Sequence, residues 1–143
     1  MGDEDEVIGG IEFRDSCIGL DWAELEALFV ATELGNRTGA KLRRAFEKSG
    51  HIVLAYGSGR LIGVCRAITD GEYHAMIYDV AVHPDWQGMG LGKTLMRRLL
   101  ARLPVWRIML VAEEKVQGFY RTLGFEAYGD VMALRDRKRL ETD

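Results

Sequence analysis

Residues 79–100, DVAVHPDWQGMGLGKTLMRRLL, constrain this chain more than any other stretch. An apolar run, a proline-containing turn and alternate glycines at Gly88, Gly90 and Gly92 lead directly into an amphipathic pattern. That order describes a strand, a tight turn and a helix start. The first amides of a helix lack intrahelical acceptors, the dipole is positive there, and glycine permits close approach, so an anion is favoured at this point.

The spacing decides which anion. Gly92, Lys93 and Thr94 look like the end of a nucleoside-triphosphate loop, G-x-x-x-x-G-K-[ST], but counting back five from Gly92 gives Gln87. The dinucleotide fingerprint G-x-G-x-x-G fits Gly88 and Gly90 and then fails at Lys93. Gln87, Gly90 and Gly92 do meet Q-x-x-G-x-G. A glycine-rich helix entry that serves packing alone is the other reading of these three residues.

The flanks supply context. Residues 75–82, AMIYDVAV, are an apolar, β-branched run interrupted by one acid, as suits a buried central strand. Residues 107–112, RIMLVA, read as a second such strand, and residues 116–125, VQGFYRTLGF, as a short helix closed by Gly124. The first block resembles the R/Q-x-x-G-x-G/A signature of the GCN5-related N-acetyltransferase family. The second, about thirty residues on, resembles that family's A-x-x-[FY]-Y-x-x-x-GF block. GRLIGVCRAITDG also resembles the third strand and turn of amine-acetylating members, including the serotonin N-acetyltransferase-like branch.

At 143 residues, 48% hydrophobic and 29% charged, the chain is expected to be one soluble domain with its own core. A net charge of −3 gives no basic footprint for nucleic acid. Cys17 and Cys65 stand apart, which fits buried free thiols better than a zinc site or a disulfide framework. No run is long enough for a membrane span, so no membrane partner is expected. Asp3, Glu4, Asp5 and Glu6 make an acidic start where a secretory signal would be basic, and Glu6 disfavours myristoylation; a cytoplasmic location is expected. This acidic start and the basic cluster Arg135, Arg137, Lys138 and Arg139 read as solvated chain ends.

Residues 11–17 suit a first strand, and Asp21 with Glu24 a capping-box-like helix start. Trp22, Leu25, Leu28 and Phe29 form one apolar face, ended by Gly35. Thr38 is placed to cap a second helix with Leu42, Ala45 and Phe46 inward and Gly50 past its end. Residues 51–56 and 61–67 read as strands joined by a tight hairpin at Gly57, Ser58, Gly59 and Arg60, and residues 75–82 return antiparallel after Asp70 and Gly71. The main helix is expected after Gln87 to about Leu103, with Leu91, Leu95, Leu99 and Leu103 on one stripe and Pro104 closing it. A connection of that length suits a parallel neighbour at 107–112, and 131–134 read as a last short strand after 125–128.

The expected fold class is α+β, a mostly antiparallel mixed sheet flanked by helices; the family resemblance implies that it splays open between its fourth and fifth strands. Residues 1–10 are expected as a flexible acidic N-terminus and residues 11–143 as a single acetyl-CoA-dependent acetyltransferase domain.

The resemblance implies direct transfer of an acetyl group from acetyl-CoA to an amine in a ternary complex, with no metal. By position against the motif, Val80, Ala81 and Val82 present main-chain hydrogen bonds to the pantetheine arm. Gln87, Gly88, Met89, Gly90, Leu91, Gly92 and Lys93 wrap the pyrophosphate, the glycines for close approach or for dihedrals other residues avoid. Tyr120 matches the family tyrosine that protonates the departing thiolate. Asp79 is the first choice for the base, since an acid inside MIYDVAV is costly to bury without purpose; alternatively it bonds a loop or an arginine. The glutamate that histone-acetylating members use falls on Met76, which argues against histone-type catalysis.

Glu113 stands where many members have a coenzyme-contacting asparagine. His74 and His83 are candidate proton relays or else structural or exposed histidines at strand ends, Trp86 is a candidate acceptor-entrance residue or a packing residue beside the loop, and Glu72, Tyr73 and Tyr78 are candidates for selecting a cationic or aromatic amine. A small-molecule amine is the expected partner, with an antibiotic, a polyamine, a peptide N-terminus and a protein lysine left open, and the resemblance, with exposed edges at the splayed sheet, implies a homodimer. The competing reading is a non-catalytic acyl-CoA-binding or sensing module of the same fold.

Overall fold

The computed structural model describes residues 7–34 and 37–135, with backbone only for Val7 and Ile8. Two compact units divide the chain at Val111 and Ala112. The first holds a six-stranded sheet in sequence order, β1 (Val7–Ile8), β2 (Ile11–Arg14), β3 (His51–Gly57), β4 (Arg60–Thr69), β5 (His74–Val82) and β6 (Arg107–Leu110). All neighbours are antiparallel except β5 and β6, which are parallel. The mixed α+β class therefore holds. β1 lies inside the stretch read as a tail, and the first expected strand stops at Arg14 rather than Cys17.

Helices α1 (Trp22–Ala31) and α2 (Gly39–Lys48) start where their caps dictate. Asp21 Oδ1 accepts from the amides of Ala23 and Glu24, and Thr38 Oγ1 accepts from Lys41 N. Glu24 does not close a capping box: its Oε2 accepts the Leu61 amide at 2.9 Å, tying α1 to β4. Helix α1 ends at Ala31, capped by Thr32; Gly35 lies outside the described residues. Leu25, Leu28, Phe29, Leu42 and Phe46 bury their apolar faces against Ile52, Leu54, Leu61, Val64 and Ala81 of the sheet.

The β3–β4 hairpin turns on Ser58 and Gly59, both at positive φ (53° and 75°), so its two-residue loop follows the strand twist. Helix α3 (Leu91–Ala101) starts with the stripe at Leu91 rather than directly after Gln87, because Gly88 and Gly90 sit at φ +82° and cannot belong to a helix. It buries Leu91, Leu95, Met96 and Leu99; truncating Leu95 or Leu99 to alanine should cost about 2–5 kcal/mol.

Two bulges set which side chains face which helices. In β4, Ala55 opposes Gly63 while Tyr56 opposes Leu61, so Ile62 is the extra residue. In β5, Arg66 opposes Asp79 while Ala67 opposes Ile77, so Tyr78 is the extra residue. Residues paired across strands share a face: Arg66, Val64, Asp79 and Ala81 lie on the α1 and α2 side, and Gly63, Cys65 and Val80 on the α3 side.

The second unit contains α4 (Glu114–Arg121), ended by Gly124 at φ +96°. Among the described residues no strand follows it, contrary to the expectation for 131–134: Val131, Met132 and Leu134 are exposed and pair with no neighbour strand. Asp3, Glu4, Asp5, Glu6, Arg137, Lys138 and Arg139 lie outside the described residues.

Candidate functional site

The loop grows from β5. Pro84 opens a single 3-10 turn, Pro84–Trp86, and His83 Nδ1 caps it by accepting the Asp85 amide at 3.1 Å. His83 thus holds the turn, the structural alternative to a proton relay. Gln87 Nε2 reaches back to donate to the Val82 carbonyl at 2.8 Å. Gly88 and Gly90 take left-handed conformations with open space where a β-carbon would stand. Gly90 is the N-cap of α3 and offers no side chain, and the first α-helical amide bond runs from Thr94 N to Gly90 O. The amides of Leu91, Gly92 and Lys93 therefore point out of the helix start unpaired by it, with Lys93 half-buried on the same turn. This cradle fits a phosphate-bearing ligand.

The strand before the loop offers a second surface. β6 pairs with β5 only over His74–Ile77, and Val80 to Val82 continue past it with no strand on that outer edge among the described residues. The hydrogen bond from His83 N to Ile62 O fixes the phase of the β4–β5 ladder. Gly63 and Val82 are then a non-hydrogen-bonded pair, as are Cys65 and Val80, while Ala81 exchanges its main-chain bonds with Val64. Val80 and Val82 direct their main-chain groups to the open edge; Ala81 directs its own inward. Of the three main chains expected to meet an extended arm, two face outward, and Val82 O already receives Gln87.

Asp79 is 3% exposed and is surrounded by cations. Arg37 Nη1 donates to both carboxylate oxygens at 2.9 Å, and Arg66 Nε donates to Oδ2 at 2.5 Å. Arg66 Nη1 continues to Ser49 Oγ at 3.1 Å, which itself donates to Ala45 O at 2.7 Å at the end of α2. The Arg66 guanidinium lies over the rings of Phe46 and Tyr78, and that of Arg37 over Phe29. A buried carboxylate requires such partners, and removing one typically costs about 3–5 kcal/mol. Arg37 lies 42 positions from Asp79 in sequence, beyond the reach of any local pattern.

The remaining candidates separate. Trp86 packs over Gly57 and does so as a support for the turn. His74 is exposed, its ring near those of Tyr73 and Trp106. Glu72 and Tyr73 lie on the β4–β5 turn, where their amides and that of His74 donate to Asp70; these bonds hold the Asp70 carboxyl below its ordinary range. Met76 pairs with Ile68 and Met109 across the sheet. Cys65 donates to Leu95 O and is fully buried, which pushes its thiol far above the ordinary value; burial and Glu47 also raise Cys17. A cavity of about 530 Å³ opens beside Glu12, Asp21, Glu24 and Tyr56, but Glu12 pairs with Arg14, Asp21 caps α1 and Glu24 holds Leu61.

In the second unit, Tyr120 lies half-buried on α4 with edge-to-face contacts to Phe119 (5.0 Å) and Phe125 (6.0 Å). The Phe125 amide closes onto Tyr120 O at 3.1 Å. Glu113 is exposed at the N-cap of α4, caps nothing, and pairs with Lys115.

An open strand edge, a glycine turn and a bare helix start follow one another along the chain. Residues 22–125 match the acetyltransferase (GNAT) family, and the chain belongs to that family. It is 41% identical over 123 residues to serotonin N-acetyltransferase 2, chloroplastic, of Oryza sativa subsp. japonica, covering 81% of this chain and 62% of the relative. It is 36% identical over 130 residues to GCN5-related N-acetyltransferase 1, chloroplastic, of Arabidopsis thaliana, covering 87% and 66%. The chain thus spans just under two thirds of the length of both relatives. A solved structure from Deinococcus radiodurans R1, of a protein assigned as an acetyltransferase, superposes with a TM-score of 0.80 at 28% identity, over 92% of this chain and 93% of that one. Both named relatives are chloroplastic, which overturns the cytoplasmic location expected from the acidic start; the charge of a few terminal residues is no guide to compartment.

Proposed function

We propose that this chain transfers the acetyl group of acetyl-CoA directly to a primary amine. One observation carries the reading: the outward main chains of Val80 and Val82 are followed in the chain, after the 3-10 turn and the glycines, by the unpaired amides of Leu91, Gly92 and Lys93. An extended pantetheine arm and a pyrophosphate are joined in the same order. Gln87 steadies the junction through Val82 O, and Gly88, Met89 and Gly90 form the turn that lets the diphosphate approach.

Tyr120 is the acid in this reading. A phenol of pKa near 10 and a thiol of roughly 8.5 are matched closely enough for a hydrogen bond to stabilise the departing sulfur. The assignment is supported by its place in the GFYRTLGF block and by the aromatic contacts that hold its ring. An alkylamine of pKa roughly 10 arrives charged and must lose a proton before attack. Asp79, the base expected from sequence, has both oxygens on guanidiniums, which supports an anchoring role and leaves the proton to water.

The likeness to a serotonin N-acetyltransferase makes serotonin the first acceptor to try. Thiol release from acetyl-CoA that depends on added serotonin, tyramine, spermidine or a lysine peptide supports transfer. Thermal stabilisation by acetyl-CoA without release under any of these amines supports the non-catalytic module instead.

A further inference from the structure

We infer that Arg37 is a positioning residue for the acceptor amine, acting through Asp79; the inference rests on the acetyltransferase reading. Arg37 immediately precedes Thr38, the N-cap of α2, and Asp79 immediately precedes Val80, on the part of β5 that runs past its pairing with β6. The two bonds from Arg37 Nη1 to Asp79 therefore pin the start of α2 to the strand that carries the acyl arm. Arg66 pins the end of the same helix through Ser49. One carboxylate holds α2 at both ends.

Location gives the latch its role. The bulge at Tyr78 turns Asp79 to the α1 and α2 face, beside Val64 and Ala81, which those helices cover; the α3 face at Gly63 and Cys65 is filled by Leu91 and Leu95. An amine approaching an acyl group beside Val80 from the α1 and α2 face meets Arg37, whose side chain is 36% exposed. The guanidinium is held in place by Asp79 on one side and the Phe29 ring on another, so that the wall it forms is fixed before substrate arrives.

Charge counting selects the variants. Two guanidiniums meet one carboxylate, so Arg37→Gln leaves the balanced Arg66–Asp79 pair in place and should fold. Asp79→Asn leaves two cations facing each other and is the harsher change. Arg37→Lys keeps the charge without the planar fork and should restore part of the effect.

The experiment measures acetyl-CoA affinity, and kcat and KM for serotonin, tyramine, spermidine and a lysine peptide, in wild type, Arg37→Gln, Arg37→Lys and Asp79→Asn. For the acceptor that wild type uses best, Arg37→Gln should raise KM about tenfold while kcat and the acetyl-CoA affinity stay within about threefold, with Arg37→Lys intermediate. Asp79→Asn should show the same KM rise and keep the acid limb of its pH–rate profile. An unchanged acceptor KM in Arg37→Gln overturns the inference. So does a collapse of kcat with loss of the acid limb in Asp79→Asn alone, which would restore Asp79 as base. Either result leaves the acetyltransferase reading standing. Absence of amine-dependent turnover in wild type itself counts against that reading, and the latch, with no reaction to serve, goes with it.

Discussion

The indole of Trp86 lies against the backbone of Gly57, so close that a β-carbon at 57 would stand 2.7 Å from Cη2 and 2.9 Å from Cζ2. The same atom would meet Ile62 Cδ1 at 2.9 Å, on the β4 bulge. Gly57 thus lets the end of the β3–β4 hairpin support the turn that precedes Gln87. Gly57→Ala must displace a rigid ring and should cost about 1–3 kcal/mol. A fall in Tm of several degrees, with weaker acetyl-CoA binding because the loop loses its support, is the expected outcome. Thermal unfolding with and without acetyl-CoA measures both.

Gly90 carries a different constraint. No atom lies within 4 Å of its would-be β-carbon, so only its φ of +82° resists substitution. Gly90→Ala should lose about 1–2 kcal/mol of stability from the left-handed conformation alone. Any relief of that strain tilts the first amides of α3, so acetyl-CoA affinity should fall by about tenfold or more in calorimetric titration. An affinity equal to wild type would separate the turn from ligand binding.

Tyr120→Phe keeps the ring between Phe119 and Phe125 and removes only the hydroxyl. If the phenol protonates the thiolate, kcat should fall by roughly 10²-fold or more with acetyl-CoA affinity unchanged. Steady-state kinetics beside equilibrium titration checks the split.

Cys65 gives stability a pH dependence of known sign. Its thiol is raised by complete burial, so above about pH 8.5 the unfolded chain loses a proton that the folded chain retains. The stabilisation is full below the unfolded value and is lost as pH rises beyond it, at up to about 1.4 kcal/mol per pH unit. Cys65→Ala should flatten this decline in urea titrations between pH 8 and 10. For the same reason thiol reagents should react with half-exposed Cys17 before Cys65 in the native protein.

Local chemistry made much of this fold legible. Thr38 caps α2, Ser58 and Gly59 turn the hairpin, and the apolar runs at β3, β4 and β5 became neighbouring strands because each property acts over a few residues. The same holds for the turn from Gln87 to Gly92, whose left-handed backbone at Gly88 and Gly90 the glycines announce. What escaped depends on distant partners. Nothing near Asp79 in sequence announces Arg37, and nothing near Glu24 announces the Leu61 amide. The bulges at Ile62 and Tyr78 break the alternation that assigns faces, so Asp79 and Ile77 lie on opposite sides of the sheet although they are two apart. The stripe from Leu91 through Leu103 overran its helix because buried leucines recur past the point where backbone geometry stops it.

The proposed reaction moves an acetyl group from a coenzyme laid along Val80 and Val82 to an amine. Release of coenzyme thiol from acetyl-CoA, measured with and without serotonin and paired with mass spectrometry of the amine, tests it most directly. Amine-dependent release with one acetylated amine per thiol, and loss of it in Gly90→Val, is the predicted result. No thermal stabilisation by millimolar acetyl-CoA and no release with any primary amine would contradict it.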